Sequence, residues 1–268
     1  MRIARIADEH GRILHAVPAG DGRVFAELSG SWESGFTQTG RTATAAHLLA
    51  PLEPTAIFCI GLNYRDHAAE TRAPLPEFPV VFMKNPSAVT GPETAIRLPR
   101  RLRSDEVDSE AELAVVIGRE CRNASRATAL EFVAGVTCAN DVSARDWQVR
   151  RSGRQWCRAK SFDTFCPLGP WVVTLDELPA SLHLDIAARI NGREMQRSNT
   201  SQMIFDIPAL IEFLSADMTL RAGTVILTGT PHGVGMARQP PVWLQAGDRV
   251  EVEIAGIGVL ANPVAEGD

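Results

Sequence analysis

Two glutamates, Glu110 and Glu112, head an apolar run, Val107-Asp-Ser-Glu-Ala-Glu-Leu-Ala-Val-Val-Ile-Gly118. On a strand, side chains at i and i+2 leave the same face, which places these carboxylates about 7 Å apart at their Cα atoms. Residues 113–117 are too apolar for the surface, so the pair belongs where a buried strand meets a cavity. Burying two like charges so close together is unfavourable without a partner. A divalent cation removes the conflict, and hard carboxylate oxygens suit Mg²⁺, Mn²⁺ or Ca²⁺. The alternative is an exposed strand end with two solvated acids.

A second acidic segment, Asn140-Asp-Val-Ser-Ala-Arg-Asp146, follows. Asp141 either completes a three-carboxylate oxygen site with room for water and substrate or forms an Asx turn or helix cap. Asp108 is a candidate outer acid. Arg145 and Gln148 share one face if the segment is helical. There they could hold a substrate carboxylate and carbonyl; otherwise they are a surface ion pair and a solvated amide.

In Gly61-Leu-Asn-Tyr-Arg-Asp-His-Ala-Ala-Glu-Thr71, a short helix capped by Asn63 brings His67 and Glu70 to i and i+3. A carboxylate beside an imidazole raises its basicity, as needed to activate a water or move a proton. Pro74, Pro76 and Pro79 stop the helix and leave a loop suited to a lid. An ordinary surface histidine is the competing reading. In Leu227-Thr-Gly-Thr-Pro-His-Gly-Val-Gly235, backbone amides and Thr230 could bind a carboxylate, or the segment is a plain strand-to-loop turn. It lacks the Gly-Lys-Ser/Thr ending of a phosphate-binding loop.

Lysine occurs only at Lys84 and Lys160, against 25 arginines. A lysine kept in that background either supplies a compact ammonium that arginine cannot or has survived by chance. Lys160 is a candidate for stabilising an enolate or oxyanion. Tyr64 is the single tyrosine.

The elements that must position these residues are mostly strands. Apolar strand-like runs fall at 56–61, 80–83, 113–117, 171–174, 182–190, 224–227 and 249–254, whereas helical patterns cover only 125–135, with Ser125 as N-cap, and 207–215. Residues 1–50 read as a small β module with short strands at 1–7, 12–17 and 24–28, and residues 54–268 as the catalytic domain. The class expected is a β-rich α+β fold with short helices. A net charge of −5 and pI near 5.7 argue against binding nucleic acid through phosphates. No apolar run approaches the ~20 residues of a membrane span, and no secretory signal opens the chain. Five scattered cysteines without a C-x-x-C pair fit a reducing, cytoplasmic setting.

Taken together, these segments resemble the fumarylacetoacetate hydrolase family. From about Ile57 to Val264 they occur in that family's order: Gly-Leu-Asn-Tyr-x-Asp-His-x-x-Glu, Phe-Met-Lys, Asp-x-Glu-x-Glu-Leu, Asn-Asp-Val-Ser-Ala-Arg-Asp, Lys-Ser-Phe-Asp-Thr and Thr-Gly-Thr-Pro. The resemblance implies a mixed β-sandwich roll around a divalent metal, commonly Mg²⁺, in a homodimer. It further implies Glu110, Glu112 and Asp141 as metal ligands, Lys160, His67 and Glu70 as catalytic groups, Arg145, Gln148 and Thr230 at the substrate, and Lys84 close behind the metal. Ser109 departs from the family, where many members carry an aromatic residue. The implied chemistry is an enolate of a 2-oxo or β-diketo acid. C–C hydrolysis of an acylpyruvate is the first expectation. Keto–enol isomerisation or decarboxylation of a 2-oxo dicarboxylate, such as oxaloacetate or 2-hydroxyhepta-2,4-dienedioate, is the alternative. An inactive metal-stabilised scaffold is a third.

Overall fold

The structure, a computed structural model, describes residues 1–20 and 22–268. At its centre the strand Ala111–Ile117 is buried at every position. Val133–Asn140 pairs with it antiparallel on one side, Ala111 opposite Asn140, and Thr224–Leu227 on the other, Ala114 opposite Leu227. Leu113, Val115 and Ile117 enter one hydrophobic cluster while Ala114 and Val116 enter a second, the two-residue alternation of a pleated strand. A strand covered on both faces must be apolar throughout, which explains the run after Glu112.

These strands belong to an eleven-stranded sheet. Its path runs Ile13–Pro18, Val24–Ser31, Gly35–Leu49, Arg2–Asp8, Cys166–Val173, Val133–Asn140, Ala111–Ile117, Thr224–Leu227, Ala56–Gly61 and, at the edge, Val80–Lys84, with Val89–Thr90 beside Cys166–Val173. A five-stranded sheet, Arg193–Asn199, Asp185–Ile190, Arg249–Ile254, Gly258–Glu266 and Ile96–Leu98, supplies Ile186, Val252 and Ile254 to the core under Leu113. Val107–Asp108 and Ser143–Ala144 form a separate two-stranded ladder. This is the β-rich α+β architecture expected, with short helices.

The helix expected at 207–215 is present as Ile207–Ser215. Asp206 caps it by accepting from the Ala209 amide at 3.0 Å, and Ile207, Leu210, Ile211 and Leu214 face inward. Residues 125–135 are not the expected helix. A 3₁₀ turn, Ala129–Phe132, leads straight into the strand Val133–Asn140, and the Ser125 hydroxyl meets Thr128 Oγ1 rather than a helix amide. Sheet pairing overrides the helical pattern here. A fourth N-terminal strand, Gly35–Leu49, escapes sequence reading because its Thr- and Ala-rich residues carry little apolar alternation. Of the run 182–190, only Asp185–Ile190 is strand. Among the described residues, no helix is long and apolar enough to cross a membrane, and the five cysteines are unpaired.

Gly135 marks a close approach of two strands, since a Cβ there would stand 2.4 Å from the Val173 carbonyl oxygen. The substitution Gly135→Ala is expected to lower stability by about 2 kcal/mol, as overpacking against backbone does; urea unfolding measures it.

Candidate active site

Glu110 and Glu112 stand at the start of the strand Ala111–Ile117. Asp141 follows the end of its antiparallel neighbour, tied by the Asp141 amide donating to the Glu110 carbonyl at 2.9 Å. Strand pairing thus brings Asp141 to acids 31 and 29 residues earlier in sequence. One oxygen from each of the three carboxylates lies within 4.8 Å of the others, and all three side chains are buried.

Three buried cations answer them. Lys160 Nζ donates to Glu110 Oε2 at 2.7 Å and Asp141 Oδ2 at 2.5 Å, and lies 4.9 Å from the Phe82 ring centre. Lys84 Nζ donates to Asp141 Oδ1 at 2.5 Å and the Val142 carbonyl at 3.2 Å. Arg145 holds Asp108 Oδ2 through Nε and Nη2, at 3.0 and 2.8 Å, and reaches Glu110 Oε1 at 2.6 Å. Asp108, expected as an outer acid, therefore positions the arginine, and it also accepts from the Gly235 and Met236 amides.

Counting Asp108, four buried carboxylates face three buried cations. The imbalance falls on Glu112, whose partner is the Gly229 amide at 2.6 Å. Burial, then the Asp141 and Glu110 charges, push the Glu112 carboxyl well above the ordinary range. Burial works the same way on Glu110, but Arg145 and Lys160 outweigh it and hold that carboxyl far below the usual range. For Lys160, burial is outweighed by Asp141 and Glu110, which raise it above its ordinary value. A divalent cation fits this donor set. It supplies the positive charge that Glu112 lacks, among hard oxygens at mutual spacings suited to shared coordination. Ser109 Oγ and Asn140 Nδ2, both buried beside the acids, have no partner among the described residues.

The helix Arg65–Thr71 carries His67 and Glu70, with His67 Nδ1 3.0 Å from Glu70 Oε2. The Gly233 amide donates to Glu70 Oε1 at 2.9 Å. Glu70 sits below its ordinary value: partial burial, which opposes ionisation, is outweighed by His67 and this amide. Asn63 does not cap the helix as expected; Tyr64 occupies that position. The Asn63 amide instead bonds Phe205 and the Thr228 carbonyl, fixing two distant loops. The Tyr64 hydroxyl is buried without a partner among the described residues, and burial, then the Glu112 and Asp66 charges, raise it well above its usual range.

A cavity of about 260 Å³ joins these groups. Of the nine residues picked out from sequence, Glu110, Glu112, Asp141, Lys160, Arg145, Gln148, Thr230 and His67 line it; Glu70 stands behind His67. Gln148 Oε1 accepts from Arg145 Nη1 at 2.9 Å, leaving its amide nitrogen to donate elsewhere. Thr230 Oγ1 donates to the Ala111 carbonyl and accepts from Gln196 Nε2. The apolar part of the lining comes from Ile60, Leu62, Phe82, Val149, Trp156 and Met236.

Sequence reading missed Gln196, which also accepts from the Ala111 amide at 2.8 Å and so joins the acid-bearing strand to Thr230. It likewise missed Trp156, which packs over Gly61 so closely that a Cβ there would lie 2.5 Å from the ring. The one available signal was the glycine itself, at the end of an otherwise bulky strand.

Residues 56–265 match the family model "Fumarylacetoacetate (FAA) hydrolase C-terminal". The mitochondrial oxaloacetate tautomerase fahd2 of Xenopus laevis is 50% identical over 218 residues, 81% of this chain and 68% of that one. A crystal structure of 5-carboxymethyl-2-hydroxymuconate delta-isomerase from Mycobacterium smegmatis superposes with a TM-score of 0.86 at 44% identity, covering 99% of this chain and 100% of that one. A 2-hydroxyhepta-2,4-diene-1,7-dioate isomerase from Mycobacterium marinum gives 0.85 at 41% identity, with 99% and 98% covered.

The charge imbalance predicts opposite effects in EDTA. Lys84→Met, which leaves Asp141 short of a partner, should destabilise by about 3 kcal/mol, whereas Glu112→Gln should raise Tm. Because the folded value of Glu112 is raised, its contribution is present below the unfolded value of ~4.3 and is lost as pH rises through the folded value. Melting curves at several pH values should therefore show a decline toward alkaline pH that Glu112→Gln reduces.

Proposed function

The chain belongs to the fumarylacetoacetate hydrolase family, and from that premise we propose that it is a divalent-metal-dependent keto–enol tautomerase of a 2-oxo dicarboxylate, with oxaloacetate as the first candidate substrate. The observation that carries this reading is the 50% identity over 218 residues to an oxaloacetate tautomerase. The two isomerase structures support it, because their named substrates share a 2-hydroxy-enoate head and a second carboxylate. C–C hydrolysis of an acylpyruvate, the first expectation from sequence, becomes the second reading, which the His67–Glu70 contact still favours.

In the proposed mechanism Glu110, Glu112 and Asp141 hold the cation, Mg²⁺ by preference and Mn²⁺ or Ca²⁺ by the same oxygen chemistry. When bound, it supplies Lewis acidity toward a developing oxyanion. Oriented by Glu70 through Nδ1, His67 lines the cavity, placed to take a proton from substrate C3 and return one. Lys160, an ammonium throughout the working pH range, faces the oxygen on which charge develops. The Gln148 amide nitrogen donates to a substrate carboxylate. Arg145 and Thr230 line the same space and reach substrate by exchanging a present partner. Lys84 holds Asp141 in place.

All of these residues fall within 54–268, which we assign as the catalytic domain, with residues 1–50 as an appended β module. The reading includes a homodimer in a reducing, cytoplasmic setting. It is supported by the exposed apolar edge at Phe78, Val80, Val81 and Met83 and by the unpaired cysteines.

The test follows the enol absorbance of oxaloacetate, with products identified by NMR. Mg²⁺-dependent enol loss without new carbon products, abolished by EDTA and by Glu110→Ala, is expected. His67→Ala should lower the rate 10²–10⁴-fold. Mg²⁺-dependent release of pyruvate and a free acid from an acylpyruvate, with oxaloacetate enol unaffected, would establish hydrolysis instead.

A further inference from the structure

The helix Arg65–Thr71 lies over the cavity between two very different supports. Behind its end the chain turns through Arg72 in the left-handed region, φ 53°, and continues as the proline-rich 73–79 loop. Ahead of it stands a fixed wall. In the strand Arg193–Asn199, Gln196 and Ser198 share a face. Gln196 is buried and bonded to Ala111, Thr230 and the Pro231 carbonyl. The next loop is pressed on the same strand at Gly233, φ 97°, where a Cβ would lie 2.2 Å from the Met195 carbonyl oxygen.

Asp66 spans the gap between helix and wall. Its Oδ2 accepts from Ser198 Oγ and from His232 Nδ1, the latter at 3.1 Å, while Oδ1 accepts from the His67 amide at 2.7 Å. One carboxylate thus touches the strand, the loop and the backbone of the histidine that works in the cavity. Glu70 makes a parallel tie to the Gly233 amide, and Arg65 Nη1 donates to the Met203 carbonyl. Asp66 and His232 touch neither the three acids nor the lysines, and His232 is about half exposed.

We propose that Asp66 and His232 form a latch that holds the His67-bearing helix closed over the cavity, acting as positioning residues for the reaction. The inference rests on the proposed role of His67. A closed fraction lowered by loss of the latch weakens apparent substrate binding by that same fraction and leaves the assembled complex intact.

Hydrogen–deuterium exchange of the full chain without substrate tests the latch directly, on Asp66→Ala, His232→Ala and His232→Gln, which keeps a donor. Exchange in residues 62–79 should rise about 5- to 10-fold in both alanine variants and return to wild type in His232→Gln. With oxaloacetate, KM should rise by a similar factor and kcat stay within about twofold. Unchanged exchange at 62–79 in His232→Ala overturns the latch, as does a rise spread evenly over the chain. Wild-type protein inactive on oxaloacetate would overturn the proposed function, while the exchange result would still decide the latch.

Discussion

The mutual repulsion of Glu110, Glu112 and Asp141, all three buried, is the constraint on which the rest of the molecule depends. Carboxylates so placed do not stay together unless something holds them there. Strand pairing fixes the backbone, since Asp141 donates to Glu110 across the ladder. Lys160, Lys84 and Arg145 then compensate most of the charge, each with two or more oxygens to hold it. Replacing either lysine by arginine would put a planar fork where a compact ammonium sits, between two carboxylates at Lys160 and between a carboxylate and a backbone carbonyl at Lys84. In a chain with only two lysines, both are committed to this cluster.

A second consequence concerns rigidity. Glu110 and Glu112 stand at the head of a strand buried on both faces and Asp141 at the end of its neighbour, and interiors packed at crystal-like density do not yield to small displacements. The apolar cores above and below Ala111–Ile117 therefore set the spacing of charges at its mouth. By contrast, the His67 helix has seven residues and one buried side chain. The protein divides its site accordingly: the carboxylate cluster on the rigid sheet, His67 on a short helix that side-chain bonds hold in place.

Much of this was legible in the chain, and the exceptions share a cause. Glu110 and Glu112 could be paired on sight, because alternation is a local property, and the helix Ile207–Ser215 announced itself by spacing and cap. The fold class followed from the dominance of short apolar runs. What sequence reading lacked were contacts between distant segments. Asn63 was read as a local cap because caps are local, whereas its partners are Phe205 and Thr228. Gln196 lies in Arg193-Glu-Met-Gln-Arg-Ser-Asn199, which has the polarity of a surface strand; its burial comes from the loop folded over it. The helical pattern at 125–135 lost to a neighbouring strand that only the folded sheet supplies.

The packing of Trp156 on Gly61 has an evolutionary side. Residue 61 has no room for a side chain while the indole is present, yet a smaller residue at 156 would vacate that space and widen the cavity. Changes at the two positions are therefore ordered in time. A lineage that first replaces Trp156 gains both a larger pocket and permission to vary residue 61, while one that begins at Gly61 meets a collision. The shape of the cavity along this wall can drift in one direction easily, and returning requires the glycine to be restored first.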